Sequence, residues 1–204
     1  MIKNKTHHRK YYNIISGVNG AGKTSLYESI RDGFDLGVRI NIDEIVSRMG
    51  DWRDALLQIR GSRVAVELVN RCIDRGLTFN QETTVPGPLI LRAVERARSE
   101  GYTVRLFYVG IESVDLAVAR VMQRVAKGGH GIDDKVIRNR FEKLPNGIRD
   151  LYPLCDSVLF FDNTKLFRQI ALIRGGELLD CDNELPHWFR NLSEKLGIEL
   201  PPDE

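Results

Sequence analysis

The chain has 204 residues, a length that suits one domain with a single substantial core and leaves no room for a second full one. Hydrophobic residues make up 42% and charged residues 28%, and no apolar run reaches the roughly 20 residues that span a bilayer, so a soluble chain with no membrane partner is expected. Thirty Lys and Arg against 28 Asp and Glu give a net charge of +2, which supplies no global field for nucleic acid and disfavours it as a partner.

Residues 1–11 are polar and basic and are expected as a flexible arm ahead of one domain over 12–204. The arm lacks the apolar stretch of a secretory leader, and the three cysteines, Cys72, Cys155 and Cys181, lack zinc-type spacing. A reducing cytoplasm is the expected location.

Residues 12–16 predict a buried strand that runs into GVNGAGKTS (17–25), with a helix following from Lys23 to about Arg31. A second strand is predicted over 37–43. Helical segments then reach Arg75, because Val64, Leu68, Val69, Cys72 and Ile73 recur at helical spacing before Gly76. Residues 77–81 predict a third strand. Pro86, Gly87 and Pro88 mark a turn before a helix around 89–100, and 102–110 predict the fourth strand. Two helices over 113–127 and 133–144, broken by GGHG, lead to a fifth strand at 157–162. The tail, about 166–197, predicts a hairpin turning at Gly175 and Gly176 and a last helix. This alternation implies an α/β, P-loop kinase-like fold, with a mostly parallel sheet of five to six strands and helices on both faces. In such a sheet the ligand lies beyond the carboxyl ends of the strands.

Gly17-x-x-x-x-Gly22-Lys23-Thr24 fits the phosphate-loop template between a strand and a helix. Gly17, Asn19, Gly20, Ala21, Gly22, Lys23, Thr24 and Ser25 are therefore the expected nucleotide-binding residues. Backbone N–H groups would wrap a phosphate, Lys23 would neutralise charge, and the Thr24 hydroxyl would ligate Mg²⁺, making ATP or GTP with Mg²⁺ the expected cofactors. Asp43 ends the predicted second strand, and the residues allow two roles for it: general base toward an acceptor hydroxyl, or cap of the next helix. Glu82, Thr83 and Thr84 follow the third strand, either as contacts to substrate or metal water or as a polar exit from the strand. The carboxylate that would complete the metal site is open among Asp162, Asp43 and Glu82. Around GGHG, residues 120–143 concentrate Arg120, Arg124, Lys127, Arg138, Arg140 and Lys143, which describes an arginine-bearing lid over a triphosphate or a solvated pair of helix faces. Arg120 and Arg124 are four apart and mildly repulsive unless an anion lies between them. His130 could contact a phosphate, brace the lid or serve the loop alone.

The ordered set NIDEI, SRVAVELV, FNQETT, GYTVRLFYVG, RVMQRVAKGGHGI, IRNRF and FFDNT, downstream of GVNGAGKTS, resembles the zeta-toxin family of P-loop kinases over residues 12–165. The resemblance implies an ATP- or GTP-dependent kinase acting on a sugar hydroxyl, as in members that phosphorylate UDP-N-acetylglucosamine, and a partner antitoxin that blocks the nucleotide site. It assigns Asp43 as general base, Glu82 and Thr83 as substrate or metal contacts, and Arg124 with Arg138 or Arg140 as lid arginines. Two stretches depart from the family pattern: VPG after ETT, and HGIDD where a proline usually follows the histidine. The same parts would serve a nucleotide or polynucleotide-end kinase, and a nucleotide-dependent switch acting through a partner is the alternative outside the enzymes.

Overall fold

The computed structural model describes residues 9–202, so most of the expected basic arm, residues 1–8, lies outside the described residues. The first strand, β1, runs Tyr11–Ser16 and begins one residue earlier than expected. Lys10 is held as well: its carbonyl accepts from Thr103 N at 2.9 Å, and its Nζ donates to Glu100 O at 2.6 Å.

The chain proceeds as α1 (Lys23–Ile30), β2 (Val38–Ile40), α2 (Ile42–Met49), α3 (Ala55–Asp74), β3 (Phe79–Thr83), α4 (Pro88–Ser99), β4 (Thr103–Gly110), α5 (Val114–Ala126), α6 (Asp134–Leu151), β5 (Ser157–Asp162), β6 (Arg168–Arg174), β7 (Glu177–Cys181) and α7 (His187–Leu196). The sheet order is β2-β3-β1-β4-β5-β6-β7. The first five strands in that order are parallel, as the alternation requires. The tail hairpin joins the edge of β5 antiparallel, which brings the sheet to seven strands where five to six were expected.

Both faces of the central strands are covered. In β1 every residue from Tyr12 to Ser16 is buried, and β4 is buried continuously from Leu106 to Gly110, a pattern that only helices on both faces of a sheet produce. Tyr12 stacks on Phe79 across the β1–β3 pair at 4.3 Å between centroids. Most of the polar groups caught in this core are paired: Asn13 Nδ2 donates to the carbonyls of Asp35 and Phe79, Asn80 to those of Leu36 and Val38, and the Tyr12 hydroxyl to Gln81, while Asn13 Oδ1 and the Ser16 hydroxyl have no hydrogen-bond partner. Hydrogen bonding keeps the cost of burying the paired groups low.

Three elements differ from expectation for identifiable reasons. The second strand stops at Ile40 because Asn41 caps α2, its Oδ1 accepting from the N–H groups of Asp43 at 2.9 Å and Glu44 at 3.3 Å. Asp43 therefore lies in the first turn of a helix, and the capping role considered for it belongs to Asn41. The third strand runs two residues later, through Thr83, since Ser16 and Thr83 remain in register. Helix α6 continues past Pro145 to Leu151. A proline inside a helix costs about 3 kcal/mol, offset here by burial of Leu144, Ile148 and Leu151.

Candidate active site

The loop between β1 and α1 needs its glycines. Gly20 has φ +81°, and a Cβ there would stand 2.5 Å from the Ala117 carbonyl of α5; one at Gly17 would stand 2.5 Å from the carbonyl of Val109. Ala21 O accepts from Asn163 Nδ2 at 2.7 Å, tying the loop to the segment after β5. Lys23, the first residue of α1, is 8% exposed and turns back over the loop, its Nζ donating to Gly17 O at 2.9 Å and Val18 O at 3.3 Å. Burial lowers the Lys23 pKa, with Glu82 and Asp43 opposing and Arg124 and Arg140 adding to the shift. One ammonium thus senses charges from α2, the end of β3, α5 and α6.

The Asp43 carboxylate accepts a hydrogen bond from His130, whose Nε2 lies 3.0 Å from Asp43 Oδ2. Burial alone would raise the Asp43 carboxyl, but the His130 hydrogen bond and the charges of His130, Lys23 and Arg124 together hold it below the ordinary carboxylate value. Glu82 is shifted the other way. Burial pushes it up against the pull of Lys23 and Arg39, and Asp43 and Glu44 add their repulsion. Its Oε2 accepts from Asn41 Nδ2 at 2.7 Å, with Arg39 Nη2 at 3.6 Å. Asn41 therefore organises both carboxylates, capping the helix that carries Asp43 and holding Glu82. It was missed from the sequence, although an asparagine directly before IDE, where acidic residues favour a helix start, is a readable capping signal.

Two cavities meet here. One, about 480 Å³, is bordered by Gly20, Gly22, Thr24, Ser25, Arg120, Arg124 and His130. The other, about 230 Å³, is bordered by Thr83, Thr84, Arg140 and, from α3, Gln58 and Ser62. Asn19, Lys23, Asn41, Asp43 and Glu82 border both. Gln58 and Ser62 carry no sequence signal, because nothing local marks which helix will pass the end of the sheet.

Arg120 and Arg124 each keep a buried guanidinium nitrogen, Nη1 and Nη2 respectively, without a hydrogen-bond partner. One other nitrogen of each is engaged: Arg120 Nη2 with Thr164 O at 3.3 Å, Arg124 Nε with His130 O at 2.8 Å. An orphaned buried donor costs about 1–3 kcal/mol, and a phosphate oxygen would satisfy it. The glycine cradle and these two nitrogens together fit a triphosphate. For Mg²⁺, the Thr24 hydroxyl and the Asp43 and Glu82 carboxylates are hard oxygen donors of the kind that complete a site shared with substrate phosphates. No group of three or more His, Cys, Asp or Glu that could hold a metal by itself occurs among the described residues.

Two predicted residues are not brought to this cleft. Arg138 is spent between Asp115 at 2.7 Å and Asp134 at 2.9 Å, pinning the start of α6 to α5, whereas Arg140 Nη1 reaches Asn19 Oδ1 at 3.0 Å. Asp162, considered as a metal carboxylate, is consumed structurally: it accepts from Thr164 N at 3.2 Å, Thr164 Oγ1 at 2.6 Å and Trp188 Nε1 at 2.9 Å.

The phosphate loop, the carboxylates and the arginines occur in the order of a known family, and the model for that family, zeta toxin, matches residues 1–166. The chain belongs to the zeta toxin family. It is accordingly a P-loop phosphotransferase in fold and kind. An uncharacterized protein of Haemophilus influenzae is 30% identical over 125 residues, covering 61% of this chain and 88% of that protein. The PezAT chromosomal toxin-antitoxin system of Streptococcus pneumoniae superposes with a TM-score of 0.64 at 13% identity, covering 93% of this chain and 84% of that one. The AvrRxo1-ORF1:-ORF2 complex with ATP gives 0.66 at 14% identity, covering 95% of this chain and 65% of that one. These structural likenesses establish the fold. Among the described residues no helix is long and apolar enough to cross a membrane.

Proposed function

We propose that this chain transfers the γ-phosphate of ATP or GTP to a hydroxyl of a small molecule, with a UDP-activated amino sugar such as UDP-N-acetylglucosamine as the acceptor suggested by the family. The observation that carries this reading is the shared wall between the two cavities, where Lys23, Asp43 and Glu82 face both. A donor phosphate over the glycine loop and an acceptor hydroxyl on the Thr83 side would meet at those three residues.

In this reading Lys23 and Arg124 hold the transferring phosphate from two directions, and Arg140 adds charge from α6. Phosphoryl transfer asks a protein chiefly for positioning and charge stabilisation. Asp43, held ionised by its surroundings, takes the proton of the attacking hydroxyl, and Glu82, Thr83 and Thr84 orient the acceptor. Mg²⁺ held through Thr24 would neutralise charge on the donor phosphates. The lining of the acceptor cavity by hydroxyls, amides and carboxylates supports a polyhydroxylated acceptor. An antitoxin protein covering the nucleotide cleft would keep the chain inactive, and activity belongs in the cytoplasm, where the triphosphate is found.

The test is transfer of labelled γ-phosphate to a panel of nucleotide sugars, free sugars, nucleosides and oligonucleotide ends, with Mg²⁺ present or chelated. Product on a sugar hydroxyl that disappears in Lys23→Ala and Asp43→Ala supports the proposal. Transfer confined to oligonucleotide ends would replace it with an end kinase, and tight nucleotide binding with no acceptor-stimulated turnover would replace it with a switch.

A further inference from the structure

A further cavity, of about 820 Å³, opens at the opposite end of the sheet, where β1, β4 and β5 begin with Tyr11, Thr103 and Ser157. Those strands are parallel, so this end faces away from the phosphate loop. The six residues of β1 alone put about 20 Å between the two sites.

Arg9, Arg98, Arg105 and Arg174 line the cavity, opposed by one carboxylate, Asp156. That carboxylate is already committed: Oδ2 accepts from Val104 N at 2.7 Å, and Oδ1 lies 3.7 Å from Arg98 Nη1. Arg98 also donates to Leu154 O at 2.5 Å. Among the described residues this is the one ion pair on the cavity wall; Arg9, Arg105 and Arg174 have no carboxylate at ion-pair distance, although Arg105 also feels the charge of Asp35. Arg105 is pre-positioned, its guanidinium 3.4 Å from the centre of the Tyr11 ring. Burial lowers its pKa, against the pull of Tyr11 and Asp35, and the Arg9 charge adds to the lowering.

We propose that this cavity binds a small ligand carrying two or more phosphate groups. Guanidinium forks match phosphate oxygens in pairs, and four arginines against one lining carboxylate around one space favour a multiply charged anion over a single carboxylate. The volume lies within the range of small-molecule sites. A nucleic-acid strand is less well served, since strand binders offer bare aromatic faces for stacking and Arg105 already covers the Tyr11 ring. The site is remote from the transfer chemistry and stands or falls separately from it.

The experiment is calorimetric titration of inorganic tripolyphosphate into the full chain carrying Lys23→Ala, which weakens binding at the phosphate loop. Saturable binding is expected, weakened at least about tenfold when Arg9→Gln and Arg174→Gln are added. Both arginines are exposed, so the double variant should keep its melting temperature without probe and, with Lys23 restored, its transfer rate. Absence of saturable binding, or equal binding by the double variant, overturns the proposal. So does a single-stranded oligonucleotide that binds this face when tripolyphosphate does not.

Discussion

His130 Nε2 lies 3.0 Å from Asp43 Oδ2, so the glycine break between α5 and α6 touches the first turn of α2. The contact joins that break to the carboxylate proposed as base, and it carries a pH prediction. Asp43 is held below the ordinary carboxylate value, so it stays ionised, and kcat/KM should remain flat until the pH falls below that range. In His130→Ala the hydrogen bond and the charge that lower it are lost while burial remains. The acid limb should then move to higher pH. The same shift bears on stability: a depressed carboxyl stabilises the fold above its unfolded pKa, and that contribution is lost as pH falls through the folded value. An unmoved acid limb in His130→Ala would separate the pair from the chemistry.

Arg124 and Arg138 should behave differently despite belonging to the same basic segment. Arg124→Gln removes a guanidinium that faces the cleft, and a loss on the order of 10³-fold in kcat is expected, as for arginines that stabilise phosphoryl transfer. Arg138 makes exposed ion pairs, so Arg138→Gln should leave kcat within about twofold and the melting temperature nearly unchanged. Steady-state kinetics and thermal melts on both variants check this.

Glu82 predicts a conflict between stability and activity. Its carboxyl is raised by burial, so the folded state prefers the protonated form and stability declines as pH rises through the folded pKa. Glu82→Gln should therefore raise the melting temperature at pH 7, by about 2–4 °C per kcal/mol relieved, with little gain near pH 4. Phosphoryl transfer should fall at the same time. A melting temperature that drops at pH 7 would show that the Asn41 and Arg39 contacts outweigh the cost of burial.

The tail is part of the core, and this is measurable at Phe189. Its ring is fully buried and packs at 4.9 Å on Phe160 of β5, beside the bond from Trp188 to Asp162. Phe189→Ala should cost about 3–5 kcal/mol and lower the melting temperature by roughly 6–20 °C. A loss under about 1 kcal/mol would mean that α7 is only appended to the domain.

The sequence by itself determined the strand and helix alternation, the parallel core of the sheet and the phosphate loop, because hydrophobic period and glycine spacing are local properties of a chain. It also placed Asp43 and Glu82 near strand ends and gathered the arginines on two helices around GGHG. Tertiary structure decided what those residues meet. Arg138 and Arg140 are two apart on one helix and so cannot face the same way, but spacing does not say which one turns inward. Packing of α6 against α5 answers that, giving Arg138 to Asp115 and Arg140 to Asn19. Asn41 and Gln58 were likewise fixed by contacts between elements distant in the chain, and Asp162 was taken by a tryptophan 26 residues later. A side chain's neighbours across the fold depend on how helices seat on the sheet, and that is settled only when the whole core packs at once.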